Sequence, residues 1–235
     1  LEIVSGIDDA SGKSIALSSI ASTLFSFGEK DKAKDVFQTA LEIAFGIASA
    51  YSKSRALSSI ASSLVSVGEY DRSLEIASGI ANDYEKSKAL ELIASSLASV
   101  GECDRSLEIV SGIGTRYAKN HALLSIVSSL ASVKEFDRAL EIASGITNVA
   151  LNKSAFIAIV SSLTSAGEFD RALEIASGIE DDSSKNSAIS SIVSSLASVG
   201  NNEKARDVFQ STLETGQWIN DVTSKYSAVL SIVSF

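Results

Sequence analysis

The chain contains no proline and no methionine, and it has a single cysteine, a single histidine and a single tryptophan. With only Cys103 present no intrachain disulfide can form, so cysteine usage leaves the redox compartment open. A hydrolase or metalloenzyme needs a convergent set of nucleophile, base and ligands, and one histidine among many serines supplies none. The apolar stretches are short and broken by serine, so none is long enough to span a bilayer. Positive charge is also scarce: the net charge is −9 and the pI about 4.7, and the lysines come singly. Phosphate backbones are held by clustered Lys and Arg, so nucleic acid is not an expected partner. The chain begins with Leu1, which leaves open a processed product or a piece of a longer array.

What the chain does have is a recurring word. Leu-Glu-Ile-Ala/Val-Ser-Gly-Ile begins at Leu74, Leu107, Leu140 and Leu173, each 33 residues after the last. Related copies begin at Leu1, Leu41 and Leu213, where the intervals are 40, 33 and 40. A second marker keeps the same beat through Ile20, Ile60, Ile93, Ile126, Ile159, Ile192 and Ile232. A fixed period of this length marks a solenoid, in which each unit buries its apolar face against its neighbours.

One unit, Tyr51 to Asp83, shows how each repeat is built. Ala56, Leu57, Ile60, Ala61, Leu64 and Val67 fall on one face at helical spacing. Gly68 is the stop signal. Asp71 is read as the N-cap of a second, shorter helix carrying Leu74, Ile76, Ala77 and Ile80. Nothing alternates with strand period, so the fold is expected to be all-α. Gly6, Gly46, Gly79, Gly112, Gly145 and Gly178 recur inside the second helix or at its end, implying close approach of the next helix or a C-terminal cap; Trp218 takes this place in the last copy. Seven extra residues lengthen the second helix in the two units containing Ala33–Gln38 and Ala205–Gln210. The expected divisions are a half repeat at 1–10, full repeats at 11–50, 51–83, 84–116, 117–149, 150–182 and 183–222, and a half repeat at 223–235.

The residues Ala56, Leu57, Ile60, Ala61, Leu64, Gly68, Tyr70 and Ser73, with Ala33, Phe37 and Ala40 of the long unit, resemble the tetratricopeptide-repeat family. The regular period is one residue short of that family's, and its proline is missing. The resemblance implies a right-handed α-solenoid and a protein-interaction scaffold, with peptides held in a groove lined by first helices. On that mapping the groove carries three rows. The first is serine from Ser22 to Ser234, the second is Phe25, Val65, Ala98, Ala131, Thr164 and Ala197, and the third is serine from Ser26 to Ser198. The Lys, Arg and Asn that capture peptide carboxylates in the family are not at these sites.

Isolated candidates read as structural. His121 stands where Arg55, Lys88 and Ser154 stand elsewhere, and is expected at the surface. Cys103 replaces Tyr70, Phe136 and Phe169 and is expected to be a buried thiol. Asp8-Asp9 and Asp181-Asp182 sit between repeats without calcium-loop spacing. No catalytic, cofactor or metal site is expected.

The first and last words complement one another. Leu1–Ile7 reads as a second helix and Ala228–Phe235 as most of a first helix. Stacking one on the other in a second copy would rebuild an approximate repeat by a head-to-tail contact, which propagates as a filament unless it closes. The expected subunit interface is Leu1, Ile3, Val4 and Ile7 against Val229, Ile232, Val233 and Phe235. The expected function is therefore a non-enzymatic structural protein whose partner is itself, in an extracellular or cell-surface fibre. The alternatives are a monomeric interaction adaptor and a cytoplasmic location.

Overall fold

A computed structural model describes residues 6–214. These form twelve α-helices in successive pairs: α1 (Ala10–Ser26) and α2 (Lys30–Phe45), α3 (Ala50–Ser66) and α4 (Tyr70–Ser78), α5 (Asp83–Ser99) and α6 (Cys103–Ser111), α7 (Arg116–Ser132) and α8 (Phe136–Ser144), α9 (Val149–Ser165) and α10 (Phe169–Ser177), α11 (Asp182–Ser198) and α12 (Asn202–Glu214). No strand occurs among the described residues. The chain divides into two compact units, one ending at Ile126 and the other beginning at Val127, both within α7. In the first, α1 packs on α2 and α3, α3 on α4 and α5, and α5 on α4 and α6. In the second, α9 packs on α8, α10 and α11, and α11 on α10 and α12. Each unit is thus a stack of helical hairpins in which first helices pack on one another, α1 on α3 and α3 on α5 in the first and α9 on α11 in the second.

The apolar stripe of the first helices is the core. Ile60, Ile93, Ile159 and Ile192 are all buried, as are Leu64, Leu97, Leu163 and Leu196. Ala56, Ala89, Ala122, Ala155 and Ala188 are buried as well, where the sequence places them. Cys103 is buried at the start of α6, like Phe136 at the start of α8.

The first helices start at capping side chains. Ser49, Asn82 and Asn148 accept from the amides of Ser52, Glu85 and Leu151, at 3.3, 3.0 and 3.0 Å. Asp9 and Asp181, from the acidic pairs between repeats, do the same for α1 and α11. α2, α4, α6, α8 and α10 have no such cap. Asp71 lies inside the first turn of α4, whose N-cap is Glu69 with no side-chain bond, and Asp104, Asp137 and Asp170 repeat the arrangement. The capping role expected of these aspartates is corrected: the N-cap lies two residues earlier, at Glu69 and its equivalents, and the helix begins at the aromatic or thiol that follows.

The turn between paired helices is a Schellman motif. The amide of Glu69 donates to Leu64 O and that of Gly68 to Val65 O, both at 3.0 Å. This requires a left-handed residue, and Gly68 supplies it at φ +79°. In the equivalent turn after α7 the residue is Lys134, at φ 67°. A side chain in that conformation costs about 1–2 kcal/mol. Part of the relief is returned by the greater freedom of glycine in the unfolded chain. Lys134→Gly is therefore expected to stabilise the protein by roughly 0.5–1 kcal/mol, read as a rise in the urea midpoint at unchanged slope. The glycines ending the second helices are different: Gly79 and its equivalents lie at ordinary helical φ as C-caps, and the nearest atoms to an added Cβ are carbonyl oxygens of the same helix, 3.3–3.5 Å away. Close approach of the next helix is not their reason.

Candidate functional site

Of the expected subunit interface only Ile7 lies within the described residues, half-buried in the segment before α1. Leu1, Ile3, Val4, Val229, Ile232, Val233 and Phe235 lie outside them, as does Trp218.

The serines of the first helices are largely engaged in helix contacts. Ser62 Oγ donates to Ser58 O at 2.9 Å, one turn back along α3. Others bridge neighbouring first helices: Ser22 Oγ donates to Ser63 O at 3.1 Å and Ser63 Oγ to Ser18 Oγ at 3.2 Å. The middle row of the expected groove is not a wall. Val65, Ala98, Ala131, Thr164 and Ala197 are buried between helices, because the 3.6-residue turn rotates that position toward the next repeat.

The recurring lysines are also committed. Lys53 Nζ donates to Phe45 O at 2.8 Å and Lys86 Nζ to Ser78 O at 3.2 Å, so each binds the carbonyl end of the preceding second helix, where a cation is favoured. Asn152 Nδ2 does the same for Ala143 O at 2.9 Å. One position further along, a single site anchors the start of the next repeat by changing chemistry. Ser54 and Ser87 accept from the amides of Asn82 and Thr115, while Lys153 pairs with Asp181 at 3.0 Å.

Asp181 also accepts from Ser184, and that bond, followed by Lys153, lowers its pKa to about 2 from an ordinary 3.8. A folded pKa below the unfolded one gives stability that is complete above the unfolded value and fades as pH falls toward the folded value. Asn is as good an N-cap as Asp, so Asp181→Asn isolates the charge. The expected result is a lower melting temperature than the parent at neutral pH, with the difference vanishing as both are titrated from about pH 5 to about pH 2.

His121 is half-buried rather than exposed, its ring 4.3 Å from that of Tyr117. Glu91 faces it, and burial raises the Glu91 pKa against the opposing pull of His121 and Lys88. Among the described residues no three His, Cys, Asp or Glu side chains gather closely enough to hold a metal ion, and no described helix is long and apolar enough to cross a membrane.

One hollow of about 250 Å³ lies on the serine rows between the ends of α7 and α9, lined by Ser132, Lys134, Ser161, Ser162 and Ser165; the larger concave features lie between successive second helices. One groove of about 390 Å³ is floored by Leu74, Leu90 and Ile109 and rimmed by Lys86, Arg105 and Glu108. A second, of about 330 Å³, has Leu41, Leu57 and Ile76 below Arg72 and Glu75, the same positions 33 residues earlier. A third, of about 480 Å³ in the other unit, has Leu173, Ile189 and Val208 below Lys204 and Asp207, 99 residues later. The groove is therefore a property of the repeat. Ion pairs cross it: Arg105 binds Asp71, Arg171 binds Asp137, and Lys204 binds Asp170 at 2.6 Å, always 34 residues apart. The aspartates are solvent-exposed, so these bridges add little stability and are screened by salt. The sequence signal was the adjacent Asp-Arg of α4, α6, α8 and α10, with Glu203-Lys204 in α12, whose basic residue falls beside the previous repeat's aspartate.

Hairpins of a long and a short helix, stacked first helix on first helix, are the geometry that the repeat words required. The Tetratrico peptide repeat family model matches residues 14–91, which span α1 to the middle of α5. Over that stretch the chain is similar to tetratricopeptide repeats, and the twelve described helices in successive pairs fit such a helical repeat. No curated protein matches it. Among solved structures, the crystal structure of Ton1535 from Thermococcus onnurineus NA1 aligns over 98% of this chain and 82% of that one, at 19% identity and a TM-score of 0.39. A TPR-like repeat fold is that of a protein-interaction or structural repeat protein.

Proposed function

We propose that the chain is a non-enzymatic structural protein that joins head to tail with further copies of itself, in a fibre at the cell surface or outside the cell. One observation carries the reading: the two outer words are the ones that meet inside the molecule. In the second unit α10, which carries most of Leu173–Ile179, packs on its paired first helix α9, which contains Ala155-Phe156-Ile157-Ala158-Ile159-Val160-Ser161. Leu1–Ile7 repeats the first word, and Ala228-Val229-Leu230-Ser231-Ile232-Val233-Ser234 repeats the frame of the second. A copy presenting one to a copy presenting the other would reuse an apolar contact already selected for fit.

Electron microscopy and sedimentation of the purified chain test this, with Ile232→Asp as the decisive variant. A buried unpaired charge is strongly unfavourable, so the variant is expected to lose fibres while keeping its helical circular dichroism. Fibres unchanged in Ile232→Asp, or a parent chain that stays monomeric at every concentration, would refute the reading. A monomeric adaptor is the second reading, favoured by the repeated grooves of the second-helix face. Because Lys53 and Lys86 are bonded to helix ends, acidic C-terminal peptides are expected not to bind in calorimetry. Binding lost on changing either lysine would support the adaptor.

A further inference from the structure

The groove between α2 and α4 differs from the others of its series in the state of its arginine. Arg105 is held by two carboxylates, Asp71 of the preceding second helix and Glu102 in its own first turn. Arg171 is held in the same way by Asp137 and Glu168. Arg72 is their equivalent in α4, but the residue 34 positions before it is Gln38, not an aspartate. The Gln38 amide donates instead to Glu42 of its own helix, at 3.1 Å. Among the described residues Arg72 makes no ion pair, with Glu69 or with any other acid. It is half-buried, so a charge beside it is less screened than on open surface.

The wall of this groove is different too. Phe45 lines it where Ser78 and Ser177 line the other two, because the recurring word reads Ala-Phe-Gly in α2 rather than Ala-Ser-Gly. The ring is 57% exposed, and Lys53 Nζ lies 5.6 Å from its centre. With Leu41, Leu57 and Ile76 it encloses an apolar space of about 330 Å³ that opens beside Arg72. A mostly apolar cavity of this size with a few polar groups at its edge is the usual form of a small-molecule site.

We infer that this cavity binds a free small carboxylate, its apolar body resting on Leu41, Phe45, Leu57 and Ile76 and its carboxylate paired with Arg72. A guanidinium offers one carboxylate two parallel N–H donors, a fit that an ammonium does not reproduce. Glu75 stands on the same rim one turn beyond Arg72 and repels a second negative charge, so the ligand is a monoanion. In the grooves of Arg105 and Lys204 an aspartate already engages the cation, which confines binding to this one groove of the three. Gln38 is thus the position that sets specificity: by not being an aspartate it leaves Arg72 to the ligand. All of these residues lie in the first unit and none belongs to the head-to-tail contact, so the site stands whether or not fibres form.

The test titrates the full chain, labelled at leucine and isoleucine methyl groups, with phenylbutyrate and with its neutral counterpart phenylbutanol, followed by NMR. The methyl signals of Leu41, Leu57 and Ile76 are expected to shift, and the carboxylate to bind at least about tenfold more tightly than the alcohol. Arg72→Met should remove that preference while leaving the alcohol bound. Gln38→Asp should restore the ion pair of the other repeats and weaken the carboxylate about tenfold, again with the alcohol unaffected, which shows the cavity intact. Arg72→Lys, which keeps the charge but not the paired donors, should fall between the parent and Arg72→Met. The proposal is overturned if phenylbutanol binds the parent as tightly as phenylbutyrate, if Gln38→Asp binds the carboxylate like the parent, if the shifts fall in another groove, or if millimolar phenylbutyrate shifts no methyl signal.

Discussion

Ile93→Ala is expected to cost about 2–5 kcal/mol, the range for deleting a large aliphatic side chain from a packed core. Ile93 is only 1% exposed, and α5 is held by α3, α4 and α6 together, so neighbours on several sides restrict collapse into the space left. The loss is a large part of the 5–15 kcal/mol that keeps an ordinary domain folded. In a stacked array it falls unevenly, because stability is a sum of repeat and nearest-neighbour contributions. Hydrogen exchange followed by mass spectrometry is therefore the appropriate measurement. Protection should fall most in α5 and the helices touching it, and much less in α10 to α12. A cost below about 1 kcal/mol would place Ile93 outside the core.

The opposite change, Ala89→Leu, is expected to cost about 1–3 kcal/mol by overpacking. Ala89 has essentially no exposed surface, and the same site is alanine in four other first helices, all buried. A residue that small at a contact between stacked helices sets how near they come. Adding an isobutyl group forces strained rotamers or a displaced helix. Leu92→Ala is the control, since Leu92 is partly exposed on another side of α5, and its effect should stay within about 0.5 kcal/mol. Equilibrium urea denaturation compares the two. If they are equal, the alanine row is not a close contact.

The head-to-tail interface could be written from the sequence, because it rests on words that repeat, but all of its residues except Ile7 lie outside the described ones. The grooves between second helices have a different history. The grooves were invisible because their floors join residues of three helices.

By itself the sequence determined the helices, their pairing and their stops. These depend on interactions within a few residues: a 3.6-residue stripe, a glycine able to take positive φ, a side chain capping the amide three residues on. It also determined most of the core, since a repeating stripe has only neighbouring repeats to bury against; the row through Val65, Ala98 and Ala131, expected to line the groove, is the exception. Only the tertiary structure decided what the polar residues do. Asp71 lost its expected role as a cap and gained Arg105, 34 residues away. Lys53 and Lys86 turned back to helix ends. The physical reason is range: apolar burial follows from the pattern of one helix, whereas an ion pair, a capped carbonyl or a groove depends on where the next repeat places its atoms.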